Sequence, residues 1–419
     1  MMEIHILHFK GGKNMLNSKK ERELCYFVTI DEIKPIEGAD RVEVAVVGGW
    51  KIMVRKGQFK AGDIAIYFEI DSKVPEEAPF DFLSGKHYKI KTQKYFKGTV
   101  ISQGLIMAVE DFEGTRFAEK IPTPQLVNMN SDERFLTAAL GVTYSVVEDN
   151  KRKGKSADKY AKMAQRNPVL FRKKPIRFLM RHTWGKKILF LFLGKKGDKK
   201  GEWPEWVKKT DEERIQNMPW VVDDKRKFIA TEKVDGTSTT FSMRKYKSNF
   251  TGKVKYDFYV CSRNVVQTTP ERDCYYDSNV YWEMAKKYDI ENVLRKMLED
   301  APDECEWITI QGETFGDGIQ KRGYLKNGEH DFKAFNLIYS NAGRANTLIM
   351  KAILEKYNIP TVPIIDANYI MPDTVDEVLT YADGESAIDG GMREGIVFRD
   401  MNGDLSFKAV SNPFLLKYH

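Results

Sequence analysis

Lys233 is the residue whose surroundings most suggest chemistry. In TEKVDGTSTTF, residues 231–241, it follows Glu232 and precedes Asp235 and Gly236. A neutral amine attacks electrophiles and an ammonium does not. A covalent role for Lys233 therefore requires its pKa to fall below the free value of about 10.4, through burial or nearby cations. Carboxylates in contact act the other way. Successive strand residues point to opposite faces, which turns Glu232 away from Lys233 and leaves Asp235 on the lysine's face just before a turn. Asp235 is then better suited to a metal ion or its water shell than to a fixed ion pair. A lysine closing a hairpin beside a capping aspartate is the structural alternative, and Lys-x-Asp-Gly alone does not decide between the two.

Four further segments follow in order: Glu313 in QGETFGDG, Phe335 in FKAFNL, Glu394 in REGIVFR and Lys408 in LSFKAV, each ending or flanking an expected strand. In order and context they resemble the motifs of the covalent nucleotidyltransferases, the ATP-dependent ligases and mRNA capping enzymes. VKKTDEERIQN, TEKVDGTS, QGETFGDGIQ, REGIVFR and SFKAVSNPFLLK, with GTVISQGL upstream, resemble more closely the ATP-dependent RNA ligases that carry an OB domain before the catalytic domain. The likeness covers most of residues 20–130 and 203–419.

The resemblance implies that Lys233 attacks the α-phosphorus of ATP and forms a lysyl-adenylate. AMP then passes to an RNA 5′-phosphate, and a 3′-hydroxyl seals the strand. It assigns Glu394 and Asp235 to Mg²⁺ or Mn²⁺, ions that favour oxygen ligands, and Glu313 to the ribose hydroxyls, with Asp317 as a nearby competitor. Phe335 and Val397 would enclose the adenine, a core position being the alternative for each. Lys408 would contact the AMP phosphate, and Arg263 a second phosphate or the ribose unless it is a surface arginine. Glu232 joins the nucleotide-binding set. At two points the sequence departs from the pattern: Ser406 and Val410 stand at the two spacings from Lys408 where a Lys-x-Lys pair would place a second lysine, with Lys417 as a substitute, and Ser238 stands where some RNA ligases have asparagine.

These residues need scaffolds. Short β-branched or alternating runs from Tyr26 to about Val109 (CYFVTI, DRVEVAVV, WKIMV, DIAIYFEI, GTVISQGLIMAV), separated by turn signals, predict a small OB-like barrel decorated by Lys89, Lys91, Lys94, Lys97 and Tyr95. From Lys227 onward, strands at FIATEK, TSTTFSM, KYDFYVCSR, ECEWITIQGETFG, HDFKAFNLIY, GIVFR and LSFKAV alternate with helical spacing at VYWEMAKKYDIENVLRKMLED and ANTLIMKAILEKYN. In TDEERIQN, Thr210 and Glu213 have capping-box spacing, which predicts a helix start. The expected architecture is α+β: an OB-fold-like domain over residues 20–130, a basic, partly helical connector over 131–220, and a nucleotidyltransferase (adenylation) domain over 221–419.

The net charge of +7 is unevenly placed, since residues 151–200 alone carry +16 and the others together −9. That segment, interleaved with Phe171, Phe178 and Trp184, fits nucleic-acid contact, a solvated insertion being the alternative. The longest strongly apolar run, ILFLFL at 188–193, is far short of the roughly 20 residues a membrane helix needs. Four cysteines without Cys-x-x-Cys spacing suit a reducing compartment rather than zinc or disulfides. The expectation is an intracellular, cytoplasmic monomer acting on RNA. Only 11 residues follow Lys408, which leaves no room for the further OB domain expected after the last motif of a capping enzyme or DNA ligase. An RNA-binding protein with a vestigial nucleotide site is the remaining alternative.

Overall fold

The computed structural model describes residues 22–144, 203–208, 210–247, 252–270, 276 and 278–418. The basic segment 151–200 lies outside the described residues, as does Cys274.

The N-terminal part is an OB-fold domain. Its strands are β1 (Cys25–Thr29), β2 (Glu32–Pro35), β3 (Val42–Val47), β4 (Trp50–Arg55), β5 (Ile64–Phe68), β6 (Ser72–Lys73), β7 (Gln93–Tyr95), β8 (Val100–Ser102) and β9 (Leu105–Met107), followed by helix α1 (Thr137–Leu140) and β10 (Thr143–Tyr144). They pair as β1-β5-β9, β2-β3-β4, β7-β8 and β10-β6. GTVISQGLIMAV, expected as one strand, is two: the chain turns at Gln103 and Gly104, where Gly104 has φ 99° and a side chain would strike the Tyr67 ring. Alternation explains the core. Ala45, Val47, Trp50, Ile52 and Val54 turn inward against Tyr26, Tyr67 and Ile106.

The C-terminal part stacks two five-stranded sheets. In chain order its elements are β11 (Glu213–Arg214), β12 (Lys227–Lys233), β13 (Thr237–Lys247), β14 (Val254–Cys261), α2 (Val280–Lys287), α3 (Ile290–Asp300), β15 (Trp307–Gly316), β16 (His330–Tyr339), β17 (Gly343–Arg344), α4 (Thr347–Glu355), β18 (Ile364–Ile370), α5 (Val375–Ala382), β19 (Gly395–Asp400), β20 (Ser406–Val410) and α6 (Asn412–Tyr418). One sheet runs β11-β20-β19-β12-β18 and the other β14-β13-β15-β16-β17. The expected long helix over 280–300 is broken at Asp289, whose φ is 49°, into α2 and α3. Ile290, Leu294, Met297 and Leu298 form the buried stripe of α3 in the core of the second sheet, each contributing roughly 1.5–3 kcal/mol by leaving water.

TDEERIQN corrects one expectation. It starts no α-helix: Glu213 and Arg214 pair in parallel with Phe407 and Lys408, and a single 3-10 turn, Ile215–Asn217, follows. Among the described residues no helix is long and apolar enough to cross a membrane, and Cys25, Cys261 and Cys305 are buried free thiols.

Candidate active site

Lys233 is the last residue of β12 and Thr237 the first of β13, so Val234, Asp235 and Gly236 carry the chain from one sheet to the other. The Lys-x-Asp-Gly turn thereby stands at the head of a cleft between the sheets. Glycine is required there because a Cβ at position 236 would lie 2.3 Å from the Thr314 carbonyl oxygen. The cleft is lined by Lys233, Thr231, Glu313, Phe335, Val397 and Lys408 among others.

Strand register sets the order of these groups. Lys233 pairs with Gly395, Thr231 with Val397, and Val397 in turn with Lys408. Glu394, immediately before β19, accepts hydrogen bonds from the Lys233 amine on both carboxylate oxygens, each at 2.7 Å. Glu313 enters from the opposite sheet, where it pairs with Ser238. Phe335 owes its position to a bulge: Gln311 pairs with Asn336 and Gly312 with Ala334, leaving Phe335 as the extra residue. The ladder shift re-aims its ring, which lines the cleft while Phe332, Ala334 and Leu337 stay in the core.

Electrostatically the site is a crowd of carboxylates around one amine. Burial opposes the charge on Lys233, yet Glu394, Glu313 and Asp235 outweigh it and hold the amine above its ordinary value. Burial, reinforced by Glu394, pushes Asp235 up to about 7 despite Lys233. Burial also takes Glu313 up to about 8, with Glu394 and Asp235 adding to it against the pull of Lys233. Lys408 moves the other way: burial, then Lys233 and Arg214, lower its amine to about 8.

The remaining expected residues divide. Arg263 lines the cleft, with Nη2 donating to both Asp211 oxygens at 2.8 Å. Glu232 also lines it, but its carboxylate is turned away and accepts from Ser386 Oγ and, at 2.8 Å, the Ala387 N–H. Burial pushes its pKa up. Asp235 is buried in the turn, with its backbone N–H donating to the Tyr324 hydroxyl at 3.1 Å. Lys417 is not among the lining residues, and its amine stands 5.0 Å from the Tyr418 ring centroid. Val410 is buried against Ile101 and Leu415.

Sequence reasoning missed the strap of residues 210–214. Thr210, Asp211 and Glu212 line the cleft. Thr210 shares a hydrogen bond with Ser238 (3.0 Å), while Glu212 accepts from Arg399 (3.0 Å) and from Ser406. Arg399, also unforeseen, stands two residues beyond Val397 with its guanidinium 5.8 Å from the Phe335 ring centroid. The usable signal was its place in REGIVFR, since alternate residues of a strand share a face.

An OB-fold domain ahead of a two-sheet domain with this cleft defines an RNA ligase architecture, and comparison with known proteins agrees. The RNA ligase family matches residues 226–418, and an OB-fold domain matches residues 24–109. None of the curated proteins is a significant match by sequence. Among solved structures, the Naegleria gruberi RNA ligase with PPi is 26% identical, with 95% of this chain and 99% of that one covered and a TM-score of 0.62. A point mutant of that ligase with ATP and Mn is 25% identical, covers 94% and 99%, and has a TM-score of 0.64. Another, with AMP and Mn, is 25% identical, covers 95% and 99%, and reaches 0.65. Residues 226–418 thus form an RNA ligase domain, preceded by an OB-fold domain, and the chain is an enzyme.

Proposed function

We propose that this enzyme seals RNA 3′-hydroxyl and 5′-phosphate ends with ATP, through a covalent AMP adduct of Lys233. The carrying observation is the order of groups along the cleft. Lys233, hydrogen-bonded to Glu394, pairs with Gly395, and Thr231 pairs with Val397 two residues further along, about 7 Å at the rise of an extended strand. That spacing suits a nucleotide with its α-phosphate at the amine and its base between Val397 and Phe335. Lys408, in register with Val397, supplies a cation to the phosphate, and Glu313 an acceptor for the ribose.

The amine attacks the α-phosphorus; a P–N bond forms as the bond to the β-phosphate oxygen breaks, and pyrophosphate leaves. An RNA 5′-phosphate oxygen then takes the AMP from Lys233, and the 3′-hydroxyl finally attacks that 5′-phosphate and releases AMP. Before the first step Lys233 must give up the proton that Glu394 helps it hold. Among the described residues no three His, Cys, Asp or Glu side chains form a ready metal cage. Burial, reinforced by the neighbouring carboxylates, pushes Asp235 and Glu313 up to about 7 and 8, a cost that a hard cation keeping most of its waters would offset. Glu394 and Asp235 would hold Mg²⁺ or Mn²⁺, which would weaken the grip of the carboxylates on the lysine proton and neutralise charge on the leaving pyrophosphate. Buried free thiols suit a reducing compartment.

The test is self-labelling. Purified protein incubated with α-³²P-labelled ATP and Mg²⁺ or Mn²⁺ should carry acid-labile label through a denaturing gel, and Lys233→Ala should carry none. Label from GTP alone would assign a capping-type reaction, and no label from either nucleotide would leave an RNA-binding protein without catalysis.

A further inference from the structure

Between Asp81 and Glu110 the OB domain carries five lysines, at 86, 89, 91, 94 and 97, and no carboxylate. Among the described residues none of the five is in an ion pair. Lys86 donates to the Gln93 amide oxygen (3.0 Å) and Lys94 to the Leu416 carbonyl, while Lys91 and Lys97 are exposed. At the tip of the β7–β8 hairpin Phe96 is 41% exposed, and both Phe96 and Lys97 have left-handed backbone, φ 50° and 56°. A β-hairpin that spends conformational energy to hold a phenylalanine in water presents it as a surface.

The hairpin is fixed beside the cleft. Lys233, Gly395 and Val410 form one row across the sheet, and buried Val410 packs with Ile101 of β8 and Leu415 of α6. Ile101 pairs with Lys94. Counting about 4.8 Å per strand step and one side-chain contact, the hairpin backbone stands roughly 20 Å from the Lys233 backbone. Valine at position 410 thus gives β8 of the OB domain an apolar contact.

We propose that this hairpin contacts the RNA strand flanking the break, with Lys91 and Lys97 on phosphates and Phe96 against an exposed base or the end of a stack. The inference rests on the RNA-sealing reading above. A polyanion is the partner that an uncompensated lysine face accepts, and the aromatic tip adds the apolar surface that bases supply and phosphate alone does not.

The experiment measures binding of a fluorescent, nicked RNA duplex to the full chain by anisotropy at several KCl concentrations, with self-labelling by ATP run in parallel. Lys91→Ala/Lys97→Ala should weaken binding and flatten the plot of log Kd against log salt by about 1.4–1.8 units. Phe96→Ala should weaken binding about tenfold with the slope kept, and Lys91→Arg/Lys97→Arg should keep both. Self-labelling should match wild type in every variant, which also reports folding. Wild-type affinity and slope in the double alanine variant, with labelling intact, would overturn the hairpin assignment alone. Absence of labelling in wild type would instead overturn the ligation reading.

Discussion

Two lysines in the cleft are set in opposite senses, and their opposition shapes the pH response. Lys233 is held protonated by Glu394, Glu313 and Asp235 against its burial, whereas Lys408 is lowered to about 8 by burial and by the cations Lys233 and Arg214. Below pH 8 the Lys408 amine is charged; as pH rises through about 8 that charge is lost, and with it the attraction to a phosphate. ATP binding by the free enzyme should therefore weaken above pH 8, by up to about tenfold per pH unit if only the charged form binds. The rate of self-labelling at saturating ATP should move the other way, since raising the pH frees the Lys233 amine. Lys408→Arg, which stays charged, should reduce the first trend to the part that ionisation of Glu313, pushed up to about 8, contributes, and should spare the second. Isothermal titration from pH 7 to 10 separates them, and an unchanged pH profile in the arginine variant would remove Lys408 from phosphate binding.

At the scale of elements, the cleft depends on one irregularity and one borrowed segment. The bulge at Phe335 delivers an aromatic ring where a regular ladder would have continued the alternation. Because that ring is only partly buried and lines the cleft, Phe335→Ala should raise the KM for ATP about tenfold, by analogy with the loss of a base stack, while thermal stability changes little. A melting temperature that falls as far as for the buried neighbour Phe332→Ala would make Phe335 a core residue after all. The strands bearing Lys233, Glu313, Phe335 and Lys408 were legible in the sequence because alternation and turn residues are local. The strap was not. Thr210 and Glu213 have the same spacing as Thr374 and Glu377, where the capping box does form and starts α5. After Glu377 come Val378, Leu379 and Ala382 as a buried stripe; after Glu213 the buried residues are the consecutive Ile215, Gln216 and Asn217, and Glu212 is drawn to Arg399 and Ser406. Pairing distant in sequence overrode a local signal. The edge strand β18 was missed for a related reason: half-exposed, with register shifts against β12 and Asp366 and Asn368 within it, it lacks clean alternation.

At the scale of the whole molecule the OB-fold domain forms part of the wall behind the cleft. Trp50 is 2% exposed; its indole N–H donates to Asn217 at 3.1 Å, and the Arg214 guanidinium lies 5.5 Å from its ring centroid. Arg214 is in register with Lys408 and helps to lower that lysine's pKa. One indole therefore touches the strap that the catalytic sheet uses as its edge. Trp50→Phe keeps an aromatic ring but loses the hydrogen bond to Asn217, at a cost of about 1 kcal/mol or somewhat more, since it leaves a buried acceptor unpaired. Trp50→Ala removes the ring as well and should cost about 3–5 kcal/mol in urea unfolding. If the domain merely tethers RNA, both variants should label themselves with AMP as wild type does wherever they remain folded. Contact through Arg214 predicts otherwise: Trp50→Ala, assayed in low denaturant where most molecules are folded, should show a raised KM for ATP in self-labelling. Trp50→Phe should stay near wild type, because a ring over the guanidinium preserves the orientation of the strap. A wild-type KM in Trp50→Ala would confine the OB domain to holding RNA.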